Sequence, residues 1–179
     1  FKDIKIIAEA LNVVDKGADL IDFMKNRIRT LKKSYDVKSE LTVAAIEWID
    51  PLMAAGNWVP ELIEMAGGIN LFGEAGKHSP WMEYKDLIEK DPDNIIIMPC
   101  GYNIQKSIIE IDSLIKQKGW KEINAVQNDK VFITDGNQYF NRPGPRIIES
   151  LEILIEIFHN DKTDFKHIDS GWINFDSTK

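Results

Sequence analysis

The spacing of hydrophobic and polar residues changes near residue 36 of this chain. Before that point, Ile21, Met24, Ile28 and Leu31 recur at intervals of three, four and three residues. This spacing is typical of one apolar stripe along a helix. We therefore predict that residues 1–36 are helical, with a break at Gly17 between a short first helix and a long second one.

Beyond residue 36, short apolar runs alternate with amphipathic segments. The run LTVAAIEWI at residues 41–49 is β-branched and nearly continuous, as expected of a buried parallel strand. Further strands are predicted at residues 69–72, 94–98 and 130–134, and helices at residues 59–66, 84–90, 103–118 and 147–159. This alternation predicts an α/β fold, a Rossmann-like lobe with a parallel sheet of about four strands, preceded by a long helix. In the tail, Phe165, Trp172 and Phe175 are expected to dock onto the lobe.

The composition is that of a globular protein. The chain has 179 residues, 44% of them hydrophobic and 28% charged, enough for one domain with or without an extra element. Its net charge of −7 argues against nucleic acid as a partner, because phosphate binding needs a basic face. Cys100 is the single cysteine, which excludes an internal disulfide. The chain begins with Phe1 inside a predicted helix, so we interpret it as a fragment or mature piece of a longer protein.

Aromatic and polar residues follow the predicted strands at the points where each strand ends. Carboxyl ends of parallel strands share one edge of an open sheet, and ligands bind there. Large aromatics beside glycine, proline and small residues would make a broad, flat, weakly charged surface that suits a large planar ligand. Trp48, inside the first strand, is expected in the core, whereas Trp58 and Trp81 are equally compatible with core or ligand contact. The predicted ligand-binding residues are Asp50, Trp58, Trp81, Cys100, Tyr102, Tyr139, Phe140 and Arg142.

The segment YFNRPGPR at residues 139–146 combines two aromatics, an amide and an arginine with two prolines. It lies between a predicted strand and a predicted helix. Arg142 offers a rigid fork of donors, and Pro143 and Pro145 stiffen the loop, so less order has to be imposed when a ligand binds. The alternative is an ordinary helix start, since proline in the first turn needs no ligand.

Three segments carry a family resemblance. EWIDPLMAAGNWVPELIEMAGG (47–68), DPDNIIIMPCGY (91–102) and YFNRPGPR (139–146) resemble the substrate-binding proteins of ABC importers for cobalamin and ferric siderophores, and most of all the cobalamin-binding type. The resemblance implies two α/β lobes joined by one long helix, with the ligand between them. Residues 1–36 would then contain the connecting helix and residues 37–179 the C-terminal ligand-binding lobe, while the N-terminal lobe is absent from this chain.

The resemblance also implies particular partners. The ligand would be a corrinoid such as cobalamin, transported rather than held as a cofactor, and the partner an ABC permease. The location would be extracytoplasmic, with any membrane anchor outside this chain. Trp81 falls where the cobalamin-binding proteins place a ligand-stacking tryptophan. Lys85 falls where the family usually has a glutamate that docks onto permease arginines, so Glu83 and Asp86 are the residues expected to substitute.

Other functions remain open at this point. Haem or a ferric siderophore could replace the corrinoid within the same family. An enzyme such as a chelatase would need titratable groups that converge in the cleft, and the strand ends supply Asp50 as their only carboxylate, which favours a binding protein that is not an enzyme. An interaction domain is disfavoured because the Trp and Tyr residues lie in loops. No metal site is predicted, because the acidic and histidine residues of the tail have the spacing of no known cation loop.

Overall fold

The computed structural model of the protein describes residues 1–35, 40–159 and 163–175. The chain divides into two compact units, Phe1–Asp36 and Val37–Lys179.

The first unit consists of two helices, α1 (Lys2–Ala10) and α2 (Val14–Ser34). The helices are separated at Asn12, whose φ of 54° is left-handed, and not at Gly17, where the sequence predicted the break. Gly17 lies inside α2, where a Cβ would stand 2.4 Å from the Cβ of Ala8. The glycine therefore permits close packing of the two helices. Met24 and Leu31 of the predicted stripe are buried.

The second unit is built on a six-stranded mixed sheet. Its strands are β1 (Thr42–Trp48), β2 (Met53–Ala54), β3 (Ile69–Asn70), β4 (Asn94–Ile97), β5 (Val131–Thr134) and β6 (Trp172–Asn174). The order is β2-β1-β4-β5-β6, and β3 pairs with the first residues of β1. Strands β3, β1, β4 and β5 are mutually parallel, which confirms the predicted α/β fold and parallel sheet. The antiparallel strands β2 and β6 were not predicted.

The helices of this unit pack on the sheet. They are α3 (Val59–Met65), α4 (Tyr84–Lys90), α5 (Ile104–Glu110), α6 (Asp112–Ile115), α7 (Asn124–Gln127) and α8 (Ile147–Phe158). The sequence predicted one helix over residues 103–118, but the structure divides it at Ile111, whose side chain is fully buried. Ser113 Oγ donates a 3.2 Å hydrogen bond to the carbonyl of Glu110 at this break, a local bond that competes with the helical pattern.

The core lies between β4, β5 and the helices that cover them. All four residues of each of these strands are buried, and Ile97 and Ile133 belong to a hydrophobic cluster with Leu114 and Trp120. This burial on both faces explains why the central strands read as continuous apolar runs. It also fixes the strand ends, and with them the loops that follow.

Candidate functional site

The loops that follow β1, β4 and β5 lie at one edge of the sheet. We call the residues 47–58, 99–106 and 135–142 the strand-end surface. Because these three strands are parallel neighbours, their carboxyl ends share that edge. Most of the residues that the sequence singled out lie in these three segments.

A small cavity of about 110 Å³ opens on this surface. Trp58, Cys100 and Phe140 line it together with Glu47 and Asn141. Three of the predicted residues are thus brought together. The cavity is far smaller than the roughly 300 Å³ or more of a site that encloses a small ligand, so a large ligand would rest on the surface around it.

Glu47 is a carboxylate at this cavity that the sequence reasoning missed. Its Oε2 accepts a 2.8 Å hydrogen bond from Ser79 Oγ and a 3.5 Å bond from the Gly56 amide. A Cβ at Gly56 would lie 2.6 Å from the Ser79 amide nitrogen, so the two loops meet where only glycine fits. The available indication was an acidic residue inside an otherwise apolar strand.

Trp48 is a correction to the prediction that placed it in the core. It is the last residue of β1, beyond the fully buried stretch, and it is only half-buried. Its ring centroid lies 5.3 Å from that of Tyr102 at an interplanar angle of 56°, and its Nε1 donates to the carbonyl of Asp50. Lys106 Nζ stands 3.6 Å from the centroid of the Tyr102 ring. Trp48, Tyr102 and Lys106 therefore form a stack on the strand-end surface.

Trp81 is exposed, with 65% of its surface accessible, which decides against a core role. It forms an antiparallel bridge with Met53, the residue that faces Trp48 across the β1–β2 pair. Its side chain lines a second cavity of about 370 Å³, beside Phe72, Pro80 and Asp86. Trp81 and Trp58, which is half-buried, thus line different cavities.

Tyr139 and Phe140 were expected to present flat faces to a ligand, and the structure turns them inward. They lie in a π-helical turn, Gly136–Phe140, closed by Asn141, whose Nδ2 donates to the carbonyls of Met98 and Gly136. Tyr139 is 7% exposed, and its ring packs edge-on against His167. Burial is the main cause that raises the pKa of Tyr139. Phe140, 1% exposed, forms part of the small cavity's wall.

Arg142, Cys100 and Asp50 are exposed. Arg142 is oriented by Asn137: its Nη2 donates 2.9 Å to Oδ1 and its Nε donates 3.1 Å to the carbonyl oxygen. The Asn137 amide in turn donates 3.0 Å to the carbonyl of Tyr102. The loops after β4 and β5 are therefore joined by hydrogen bonds that run from Tyr102 to Arg142.

The residues around the start of α4 form a separate charged group. The Glu83 amide donates 3.0 Å to Asp86 Oδ2, which caps the helix. Lys85 Nζ lies 2.8 Å from Glu83 Oε2, and this bond raises the pKa of Lys85. Glu83 and Asp86, the predicted docking carboxylates, thus have local partners.

Comparison with known proteins shows which protein family this chain resembles. The sequence profile of the family described as Periplasmic binding protein matches residues 1–138. The uncharacterized ABC transporter substrate-binding lipoprotein YvrC of Bacillus subtilis is 26% identical over 166 residues, covering 90% of this chain and 50% of that protein. The Vitamin B12-binding protein of Vibrio cholerae is 27% identical over 101 residues, covering 56% of this chain and 33% of that protein. The chain thus spans half or less of the length of these curated relatives.

The fold comparison agrees. The crystal structure of an ABC transporter substrate-binding protein from Listeria monocytogenes superposes with a TM-score of 0.78 at 17% identity, covering 89% of this chain and 63% of that one. In the described part of the chain, none of the helices is long and apolar enough to cross a membrane. Because the profile match extends over most of the sequence and the fold agrees with it, this chain belongs to the Periplasmic binding protein family.

Proposed function

We propose that the protein is the substrate-binding component of an ABC importer and that it captures a corrinoid such as cobalamin between two lobes. This chain would be the C-terminal lobe together with the connecting helix. The observation that carries the proposal is the aromatic character of the strand-end surface, where Trp48, Trp58 and Tyr102 are accessible and Trp81 lies one bridge away. Flat aromatic faces suit a large planar chelate better than a sugar or a phosphate.

The shape of the surface supports capture between two bodies. The strand-end cavity of about 110 Å³ cannot enclose a chelate of corrin size, and binding sites usually bury most of their ligand. A ligand that rests on this surface would need a second body to cover it. The alignments cover 50% and 33% of the curated relatives, so proteins of that length have room for a second lobe.

A corrinoid is proposed as the ligand because the three segments that carry the resemblance are closest to the cobalamin-binding type. The relative named Vitamin B12-binding protein supports this choice. Haem or a ferric siderophore is the alternative within the same class, since either is also a large metal chelate. The ligand is cargo, so the protein would hold no resident cofactor.

Binding without catalysis is the proposed activity, against the chelatase alternative. A chelatase would need convergent titratable groups beside the ligand. Glu47 and Asp135 add carboxylates to Asp50 that the sequence reasoning missed, but Glu47 accepts hydrogen bonds from Ser79 and Gly56, and Asp135 accepts one from the Gln138 amide. Family membership supports the same conclusion.

The proposed partner is an ABC permease, and the proposed location is extracytoplasmic. The family description and the relative named as a lipoprotein support this location. Docking is proposed through Glu83 or Asp86 at the start of α4.

The test uses this chain preceded by the N-terminal lobe that the resemblance implies, which we call the two-lobed form. Titration with cyanocobalamin, haemin and a ferric siderophore, followed by absorbance and tryptophan fluorescence, is expected to show saturable binding of one chelate at micromolar concentration or below. Absence of binding to all three would refute the proposal. Turnover of metal into a free tetrapyrrole would favour the chelatase instead.

A further inference from the structure

We propose that the cationic side chains of Lys106 and Arg142, each connected to Tyr102, hold an oxyanion on the rim of the captured chelate. The oxyanion would be a phosphodiester or a carboxylate, since both present oxygen acceptors to the same donors. This inference rests on the proposed function and deepens it, because it states which chemical group of the ligand the strand-end surface recognises.

Lys106 is held at the surface by an aromatic ring. Its Nζ stands 3.6 Å from the centroid of Tyr102, a distance at which a ring face attracts an ammonium. The Tyr102 ring is itself packed against Trp48, with centroids 5.3 Å apart. The ammonium is therefore positioned beside the aromatic surface on which a chelate would lie.

Arg142 is connected to the same aromatic residue through Asn137. Asn137 donates from its amide to the carbonyl of Tyr102 and accepts from the Arg142 guanidinium at both its carbonyl and its Oδ1. These bonds use Nε and Nη2 of Arg142. The Nη1 donors have no hydrogen-bond partner among the described residues and are available to a ligand.

Neither cation is neutralised locally. Some exposed lysines elsewhere in the chain have carboxylate partners, as in the 2.7 Å pair of Lys116 with Asp112. Lys106 and Arg142 form no ion pair within residues 1–35, 40–159 and 163–175. A chain with a net charge of −7 thus presents two uncompensated positive groups on its aromatic surface. A ligand with a negative rim complements them.

Two carboxylates of the same surface are directed to other partners. Asp135 Oδ1 accepts a 2.8 Å hydrogen bond from the Gln138 amide, and Glu47 accepts from Ser79 and Gly56. Asp50 is exposed, and its carboxylate forms no hydrogen bond or ion pair with the part of the chain that the structure describes. Its negative charge would oppose a bound anion, and its substitution therefore provides a variant with the opposite expected effect.

The experiment compares two pairs of chelates, and in each pair only one member carries anionic oxygen groups. Cyanocobalamin carries a phosphodiester-linked nucleotide that dicyanocobinamide lacks, and haemin carries two propionates that are esterified in haemin dimethyl ester. Dissociation constants of all four would be measured on the two-lobed form at low and high salt. Stronger salt dependence is expected for the anionic member of the pair that binds, because salt screens exposed charges.

The variants are Lys106→Gln and Arg142→Gln, with Lys130→Gln as the matched control. Lys130 is also an exposed lysine, but it precedes β5 at the opposite end of the sheet. Each site variant is expected to weaken the anionic chelate by about threefold to fivefold and to leave its neutral counterpart unchanged. Lys106→Arg should retain the preference, Asp50→Asn should strengthen anionic binding, and Lys130→Gln should change nothing.

The possible outcomes are separable. If the Lys106 and Arg142 variants weaken binding of cyanocobalamin alone, the group that they bind is the phosphodiester. If they weaken binding of haemin alone, the group is a carboxylate. Equal weakening of charged and neutral chelates, or no weakening of either, would overturn the oxyanion site while chelate binding stands. Failure of all four chelates to bind would overturn this inference, and the additional failure of the ferric siderophore to bind would overturn the proposed function as well.

Discussion

The indole Nε1 of Trp172 donates a 2.7 Å hydrogen bond to Oε2 of Glu156, a carboxylate that is 4% exposed. The same carboxylate accepts from the amides of Lys166 and His167. A buried charge is tolerated when its oxygens are satisfied in this way. Glu156 lies on α8 and Trp172 on β6, so this group joins the tail to the helix and confirms that Trp172 docks on the lobe.

Removal of the carboxylate should destabilise the lobe. Glu156→Ala would leave the three donors without their acceptor, and we expect a loss of roughly 3 kcal/mol in the free energy of unfolding. Trp172→Phe removes one donor and little apolar surface, so a smaller loss of about 1 kcal/mol is expected. Urea denaturation measures both. Equal losses for the two variants would mean that the carboxylate's other hydrogen bonds contribute nothing.

Tyr84 should make the protein sensitive to high pH. Burial, aided by the charge of Glu122, raises the pKa of Tyr84 from 10.0 to about 12. Between these values the unfolded chain has lost the phenolic proton and the folded chain has kept it. The folded state therefore binds more protons, and stability present below pH 10 is lost as the pH rises towards 12.

The measurement is a series of thermal melts from pH 8 to 12. Tyr84→Phe should show a smaller decline than the wild type above pH 10. Its hydroxyl is buried without a hydrogen-bond partner in the described chain, so at neutral pH the variant should be equal in stability or slightly more stable. A steeper alkaline decline in Tyr84→Phe would contradict the assignment.

Trp81→Ala should weaken ligand binding without unfolding the protein. The side chain is 65% exposed, so its removal costs little stability, whereas removal of a stacking interaction costs roughly 1 kcal/mol, or about fivefold in Kd. Trp120→Ala is the matched control: that indole is 1% exposed in the core and should cost ~3–5 kcal/mol of stability. Titrations and melts of both variants in the two-lobed form separate the effects. A large fall in melting temperature for Trp81→Ala with unchanged affinity would refute the assignment of Trp81 to ligand binding.

This chain alone should bind corrinoid more weakly than the two-lobed form. On the proposed function, this chain alone would supply one side of the clamp. The aromatic groups that the other lobe would supply could contribute several kcal/mol, of which each ~1.4 kcal/mol is tenfold in affinity. Calorimetry on both forms is expected to show at least a tenfold difference. Equal affinities would place the site elsewhere, and intact melting of the chain alone provides the folding control.

The central sheet was predictable because its strands are buried on both faces and so read as apolar runs. The helix Tyr84–Lys90 was predicted with the bounds that the structure shows. The edge strands β2 and β6 were not predicted. Each has only two or three residues, too few to show a periodic pattern, and the pairing of β6 with β5 joins residues far apart in the sequence. Local sequence also cannot show that Gly17 serves helix packing.

The sequence predicted where the candidate site lies better than it predicted which side chains are exposed there. The order of strands and helices was enough to bring the strand-end loops to one edge of the sheet. Which aromatics face outward depends on one-residue differences: Trp48 lies just past the buried part of β1, and the π-helical turn rotates Tyr139 and Phe140 inward. A pattern of residue types does not encode such rotations. The Lys106–Tyr102 contact joins residues four apart on either side of a helix start, which periodicity alone could not reveal.

Docking to a permease is predicted to depend on the charges around the start of α4. Lys85 would repel permease arginines, because like charges that lose water at an interface disfavour a complex. Glu83 is held by Lys85, and Asp86 caps the helix through the Glu83 amide. A permease arginine that takes Glu83 must therefore displace Lys85, an exchange between exposed groups that salt screens.

The variants Lys85→Glu, Glu83→Gln and Asp86→Asn test this in reconstituted vesicles that contain the cognate permease. Lys85→Glu is expected to tighten docking, since it removes the competing cation and adds a carboxylate. At least one of the two carboxylate substitutions is expected to weaken docking. Lys77→Glu, at an exposed lysine that pairs with Glu74 outside this helix, is the control for a general change in charge. If the three variants dock and transport as the parent does, the start of α4 is not the docking surface, and another exposed face of the lobe must serve.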